Sequence, residues 1–291
     1  MIVAYTSGGR TGNELYMFLY LLAAALEHHW NIRMWSFSSC HEFEFFGPGK
    51  GVCSYHPRRN KILYDFDVFL RHYHLFRLFG FFSRLFRVHL IYNQNLKNAE
   101  LTERLRTISP MSLVLMNCWP FLDFDLLRKH ADEVRKAVRP KKEYWERAAQ
   151  IIQEQRRHGV PVVGVHIRRT DYARWRGGEY FFEISVYERC MRKISELLHG
   201  EVSFVICSDE DMTKHHFDVP CRSLYISRNP FLVDFSLLAH CDYTIGPPSS
   251  FRLTASFLGA TPTFRIVSSD CEPMSMDEFV MPMYTTSRPN A

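Results

Sequence analysis

This 291-residue chain predicts an α/β protein built on a doubly wound parallel sheet, and two observations carry that prediction. From residue 160 to residue 267, short apolar runs alternate with helix-forming stretches in a βαβα rhythm. The runs are continuous rather than alternating, as strands covered on both faces are. At the other end, Met1-Ile2-Val3-Ala4-Tyr5 leads into Gly8-Gly9-Arg10-Thr11-Gly12-Asn13 and then into strong helix formers.

Residues 2–5 read as the first strand and Glu14 to His29 as the first helix. The turn between them has two readings. It is a tight connection that needs glycine torsions, or a place where backbone N–H groups and a helix start meet an anion. It matches neither the dinucleotide glycine fingerprint nor the phosphate loop of NTPases, which argues against NAD and ATP. Residues 36–62, with Gly47-Pro48-Gly49 and Pro57, read as irregular. Residues 66–92 interleave phenylalanines with Arg71, Arg77, Arg84 and Arg87 and read as helical, broken near Gly80. They form either a packed helical pair with a wet arginine face or a surface for anionic lipid or a lipid-linked molecule. Residues 121–139 read as a helix ended by Pro140, and Tyr144 to His158 as another, stopped by Gly159. The junction between halves is expected near 140–160, giving domains 1–150 and 151–291.

In the second half the expected strands are 160–167, 201–207, 223–226, 242–245 and 262–267. The expected helices are 184–199, a short one at 210–216, 231–240 and 250–258. The tail after Asp270 reads as a strap across the other half or as plain loop.

The totals narrow the class. Hydrophobic residues make up 46% of the chain, enough for packed cores, and the net charge of +5 is mild. That charge suits an anionic substrate and also a peripheral membrane or nucleic-acid contact. The eight cysteines include no CxxC pair and no zinc-finger spacing, which points to a reducing compartment and no structural metal. The longest apolar run, Leu15 to Leu26, is too short to span a bilayer. With no basic leader, the expectation is a protein without signal peptide or membrane anchor, located in the cytoplasm. Residues 66–92 would give it any peripheral contact with the inner membrane.

Chemistry concentrates where strand 160–167 ends, in His166-Ile167-Arg168-Arg169-Thr170-Asp171. Ligands of open α/β sheets bind beyond the carboxyl ends of strands. Two guanidiniums there suit a diphosphate held by charge-assisted hydrogen bonds. The competing reading is a surface salt-bridge cluster. Three later loops join the list. Ser208 and Asp209 follow the next strand, as ribose or base ligands or as plain caps. Asp234 sits on an apolar helix, where a buried acid needs a partner. Gly246-Pro247-Pro248-Ser249-Ser250-Phe251-Arg252 lies between a strand and a helix start.

These residues resemble a known family. His166-Ile167-Arg168-Arg169-Thr170-Asp171 is similar to the His-x-Arg-Arg-x-Asp motif of the GDP-fucose-dependent fucosyltransferases. That superfamily includes the α1,2-, α1,6- and protein O-fucosyltransferases. Gly8-Gly9-Arg10-Thr11-Gly12-Asn13-Glu14-Leu15 resembles the α1,2-type opening. Phe204 through Asp209, and Asp234 through Phe251, resemble later motifs in the right order. The chain departs from the pattern at Glu14, Thr170, Gly246-Pro247-Pro248 and Arg252.

The resemblance implies a GT-B-like fold, two Rossmann-like halves facing a cleft, with the donor in the second half and the acceptor in the first. It implies a metal-independent, inverting transfer of L-fucose from GDP-fucose to a glycan hydroxyl, α1,2-type, with no cofactor. The implied catalytic residues are Arg168 on the β-phosphate and, as alternative general bases, Asp171 and Glu179. The implied donor-binding residues are Gly9, Gly12, Asn13, His166, Arg168, Arg169, Ser208, Asp209, Asp234, Ser249, Ser250 and Phe251. The implied partners are GDP-fucose and a glycan acceptor, lipid-linked in one reading, and not nucleic acid. Two other readings stay open. The same scaffold takes another nucleotide sugar, or the chain is a basic membrane- or nucleic-acid-binding protein using residues 66–92.

Overall fold

The computed structural model describes residues 1–5, 10–52, 56–72, 87–92, 98–109, 111–117 and 122–283. The chain forms two compact units, Met1–Arg139 and Pro140–Ala291. Each is an α/β unit with a parallel sheet flanked by helices. The unit boundary precedes the helix at 142–155, which therefore lies wholly in the second unit.

The first unit contains β1 (Ile2–Tyr5), α1 (Thr11–His28), β2 (Ile32–Met34), β3 (Phe43–Phe45) and α2 (Pro57–His72). It continues with β4 (Val88–Tyr92), α3 (Asn98–Arg106), β5 (Leu113–Asn117), α4 (Phe124–Lys129) and α5 (Ala131–Ala137). Strand β6 (Val138–Pro140) pairs with β3. The main sheet has the order β2-β1-β5-β4, all parallel. Helix α1 is buried along one stretch from Leu15 to Ala24 because almost every side chain there is apolar. It ends at His29, whose left-handed φ of 54° returns its N–H to the Ala25 carbonyl.

The second unit contains α6 (Lys142–Gln155), β7 (Val162–Ile167), α7 (Ile184–Leu197), β8 (Ser203–Ser208) and β9 (Ser223–Ile226). It closes with α8 (Phe231–His240), β10 (Tyr243–Gly246), α9 (Ser250–Leu258) and β11 (Thr263–Arg265). Its sheet runs β11-β10-β7-β8-β9, again all parallel. Central β7 is buried at every residue, as a strand with helices on both faces must be. Gly164 lets α8 come close: a Cβ there would lie 2.9 Å from Leu238 Cδ2 and 3.0 Å from Cys241 Sγ. Cys207 and Cys241 are buried and serve as small apolar groups.

Several elements differ from the sequence expectation, each for a local reason. Helix α1 begins at Thr11, so Gly12 and Asn13 are helical rather than part of the turn. The 36–62 stretch holds β3 and the start of α2. Within 66–92, residues 66–72 are helical, but 88–92 form β4, paired in register with β5 from Val88 opposite Leu113. The arginine- and phenylalanine-rich residues 73–86, with the break near Gly80, lie outside the described residues. The helix expected over 121–139 divides at His130, which leaves helical geometry while its ring meets Glu27 at 2.7 Å. Its end becomes β6. No helix covers 210–216. There Asp211 accepts hydrogen bonds from the Thr213 N–H and hydroxyl, closing an Asx turn instead. The described tail packs on the second unit's sheet: Val280 bridges Thr263, and Phe279 packs on Phe264 and Tyr243. Among the described residues, no helix is long and apolar enough to cross a membrane.

Candidate functional site

The order of the second sheet marks the site. The chain lays β8 and β9 on one side of β7, then returns to place β10 and β11 on the other. Loops leaving β7 and β10 therefore diverge, and ligands of such sheets bind in that crevice. The β7 loop carries Arg168, Arg169 and Asp171; the β10 loop carries Gly246 to Ser249 and opens α9.

Arg168 is the meeting point of the two loops. Its Nε and Nη2 donate to the two carboxylate oxygens of Asp171 at 2.9 and 2.7 Å, a bidentate pair. Its Nη1 donates to Ser249 Oγ at 3.3 Å across the crevice. The guanidinium also lies 4.7 Å from the centre of the Tyr172 ring. Burial disfavours its charge, but the Asp171 hydrogen bonds and nearby carboxylates outweigh that and hold it above its ordinary value. The Tyr172 hydroxyl donates to the Pro248 carbonyl, a second tie between the loops.

Arg169 points its hydrogen bonds elsewhere. It donates to the Phe182 carbonyl at 2.9 Å, meets Glu183 at 3.2 Å and Glu210 at 3.1 Å, and stacks over Phe181. Asp209 is equally committed. Its carboxylate accepts from the Arg169 N–H at 2.8 Å, the Thr170 N–H at 3.4 Å and the Thr170 hydroxyl at 2.6 Å. Ser208 accepts from the Glu210 N–H at 3.0 Å, which closes its turn. Asp209 thus braces the β7 loop from the β8 side, and Arg169 reaches back from the β7 loop to Glu210.

His166 is buried and stacks on Phe251 at 5.5 Å, so the β7 end and α9 share an aromatic contact. Burial first, then Arg252 and Arg168, push its pKa well below the usual histidine value and keep it neutral. Its Nδ1 is buried without a hydrogen-bond partner. Phe251 in turn meets Phe235 edge-on at 5.3 Å. Gly246 has φ of 151°, and a Cβ there would sit 2.5 Å from the His166 carbonyl. Glycine is thus required where the two strands end.

Asp234 lies in the first turn of α8, where the helix dipole favours an acid. It is 7% exposed and accepts from the Ser227 hydroxyl. Ser227 Oγ also accepts from Asn229 N at 3.2 Å and Nδ2 at 2.9 Å, and Asn229 Nδ2 reaches the Tyr225 hydroxyl at 2.9 Å. Burial pushes the Asp234 carboxyl up to about 7, with the Ser227 bond opposing. Glu179 is half-exposed and 3.8 Å from Arg176, on a loop where Arg176, Gly177 and Gly178 have positive φ.

In the first unit, Gly9 lies outside the described residues. Gly12 is buried and Asn13 half-buried inside α1. Beside them Glu14 is 3% exposed and accepts from Ser38 N at 3.1 Å and Ser38 Oγ at 2.7 Å.

The structure thus brings together His166, Arg168, Asp171, Ser249, Ser250 and Phe251, with Ser208 and Asp209 on the β8 side of the β7 loop and Arg169 turned toward them. Tyr172 and Ser227 belong to this arrangement without being expected in it, and Arg252, expected only as the end of the Gly246–Arg252 loop, joins it through the Gly246 and Pro247 carbonyls. Tyr172 stands four residues after Arg168, a spacing that hints at a shared turn; Ser227 carries no sequence signal, and Arg252 shows in the sequence only as part of the loop and a departure from the family pattern. Among the described residues, no group of three or more His, Cys, Asp or Glu is placed to hold a metal ion.

No curated protein matches this chain. Solved structures do. A fucosyltransferase NodZ from Bradyrhizobium is similar with a TM-score of 0.56 and 18% identity, covering 94% of this chain and 96% of that one. A mutant of Arabidopsis thaliana FUT1 in complex with GDP is similar with a TM-score of 0.56 and 12% identity, covering 92% and 71%. NodZ α-1,6-fucosyltransferase co-crystallised with GDP gives a TM-score of 0.57 and 17% identity, over 91% and 94%. These likenesses establish the two-unit, GT-B-like fold. The profile of glycosyl transferase family 11 matches residues 123–281, from the last helices of the first unit through the whole β7–β11 sheet, and the chain belongs to that family of glycosyltransferases.

Proposed function

We propose that this protein is a metal-independent, inverting fucosyltransferase that moves L-fucose from GDP-fucose to a glycan hydroxyl in α1,2 linkage. The observation that carries the reading is Arg168. It is a charged, largely buried guanidinium at the reversal of the second sheet, next to Ser249 and the start of α9. A guanidinium fork and a helix start together suit a diphosphate, and they supply the positive charge that a magnesium ion supplies elsewhere. GDP-bound proteins of the same fold support the nucleotide choice.

In this reading the acceptor oxygen forms a bond to C1 of fucose as the bond from C1 to the β-phosphate oxygen breaks. The electron pair leaves with GDP, and the acceptor proton passes to a carboxylate or to water. Arg168 stabilises the charge that grows on the leaving group, a contact worth a few kcal/mol of barrier. Asp171 spends both oxygens on Arg168, which makes it a poor base and a good anchor. Glu179 is the carboxylate left for the base role. Asp209 and Arg169 shape the β7 loop, while His166, Phe251 and Asp234 line the nucleoside side. The second unit takes the donor, and the family resemblance assigns Gly9, Gly12 and Asn13 to the donor phosphates as well; the first unit takes the acceptor, a surface glycan or a lipid-linked one. The protein works in the cytoplasm, and residues 66–92 are the segment through which any peripheral membrane contact would be made.

Titration calorimetry with GDP, GDP-fucose, GDP-mannose and UDP-galactose in EDTA tests the donor. Binding of GDP and GDP-fucose that disappears in Arg168→Ala is the expected result. Folded protein that binds none of them refutes the reading, and preference for another sugar nucleotide transfers the site to that donor.

A further inference from the structure

Arg252 is fully shielded from solvent and heads the buried side chains by size. It lies in the first turn of α9, directly under the loop that leaves β10. Its Nη2 donates to the carbonyls of Gly246 at 2.9 Å and Pro247 at 3.2 Å. Its Nη1 donates to the Thr263 hydroxyl and lies 3.5 Å from that of Thr244. Its Nε has no hydrogen-bond partner. Among the described residues no carboxylate pairs with it. The ionisable groups that act on it are Arg265, Tyr172 and Tyr187, and it acts in turn on His166. Burial, then Arg265, lower its pKa to about 9, so it stays charged at neutral pH.

A buried cation without a counter-charge is costly to a folded chain. Here it stands on the same loop as Ser249, which Arg168 touches. The carbonyls of three successive residues on that loop are all engaged, Gly246 and Pro247 by Arg252 and Pro248 by Tyr172. The negative ends of those peptide groups are thereby tied down just before the amides that open α9, where an anion is favoured.

We propose that Arg252 is a buried second charge for the donor diphosphate. It attracts the anion through the Gly246–Ser249 loop and holds that loop in place, without touching the ligand. Arg252 is thus a positioning residue, and the bound diphosphate is the counter-charge its burial lacks. The proposal rests on the nucleotide reading above and deepens it, because it makes the phosphates rather than the base the source of the effect.

Calorimetry on wild type, Arg252→Met and Arg252→Lys, with GDP, inorganic pyrophosphate and guanosine as probes, decides it. The expected result for Arg252→Met is a loss of about tenfold or more for GDP and pyrophosphate, with guanosine within about twofold. The rise in melting temperature on adding GDP should shrink with it. Arg252→Lys, which keeps the charge and loses the fork, should fall between the two. Equal weakening of GDP and guanosine in either variant overturns the proposal and leaves Arg252 a structural brace. Unchanged GDP affinity in Arg252→Met overturns it as well. Should the Met variant not fold, the Lys variant decides by the same ratio of GDP loss to guanosine loss. A wild-type protein that binds no GDP refutes the nucleotide reading itself, a separate failure.

Discussion

The two units share a sheet plan and differ in what they put at its reversal. In each, the first strand of the sheet is flanked on both sides by strands that follow it in the chain: β1 by β2 and β5, β7 by β8 and β10. At the β7 edge stand Arg168, a neutral His166 and the buried Arg252. At the β1 edge α1 starts almost at once, and its first turn buries Glu14 against Ser38. One edge concentrates positive charge; the other spends a carboxylate on internal hydrogen bonds. Topology supplies the crevice, and side chains decide which sign of ligand it takes.

The largest expected effect is at Arg168. Its replacement by alanine should lower kcat by about 10²–10³ in a fucosyl-transfer assay. A comparable loss from Arg10→Ala, at the matching edge of the first unit, would erase the contrast. Next is Gly246→Ala, which forces a Cβ to within 2.5 Å of the His166 carbonyl at a φ of 151°. Urea denaturation should show a loss of about 2–4 kcal/mol; a loss under 1 kcal/mol would mean the two strand ends separate easily.

A smaller and pH-dependent effect belongs to Asp234. Its folded pKa of about 7 lies above the ordinary carboxylate value of 3.8. The stability it contributes is therefore fully present below about pH 4 and is lost as pH rises toward 7, on the order of 2–4 kcal/mol. Asp234→Asn should flatten that decline in unfolding measurements from pH 4 to pH 8; an unaltered slope would assign the decline to other groups. The smallest effect is at Glu14, whose pKa burial also raises against its Ser38 hydrogen bonds. Gln keeps an acceptor for Ser38, so Glu14→Gln should shift stability by no more than about 1 kcal/mol at pH 7. It should leave GDP affinity unchanged. Weakened GDP binding would bring Glu14 itself into the donor site.

The second unit was the more legible in sequence. Its strands are unbroken apolar runs, and Gly159, Gly200 and Gly259 mark the stops. The first unit hid its sheet. Strands β2 and β3 are three residues long, too short for periodicity to register. Strand β4 follows a phenylalanine- and arginine-rich stretch whose composition suggests helix, and only its ladder with β5 makes it a strand. The same limit applies to the site. The residues around Arg168 were visible as a motif, but their partners were not. Asp209 grips Thr170 from 39 residues away, and Tyr172 reaches Pro248 across 76. Whether a carboxylate binds ligand or braces a loop is decided by such distant pairings, which no local pattern encodes.

The pairing of β7 with β10 also sets when the crevice exists. Asp242 Oδ2 accepts from the Val162 N–H at 2.8 Å across 80 residues of chain, and β8, α8 and β9 all intervene. Contacts of that sequence separation are slow to form. The two loops that share Arg168 and Ser249 come together only when β10 docks against β7. Ligand binding would then report completion of the sheet, and GDP added during refolding should act after that docking, trapping finished molecules without hastening earlier steps.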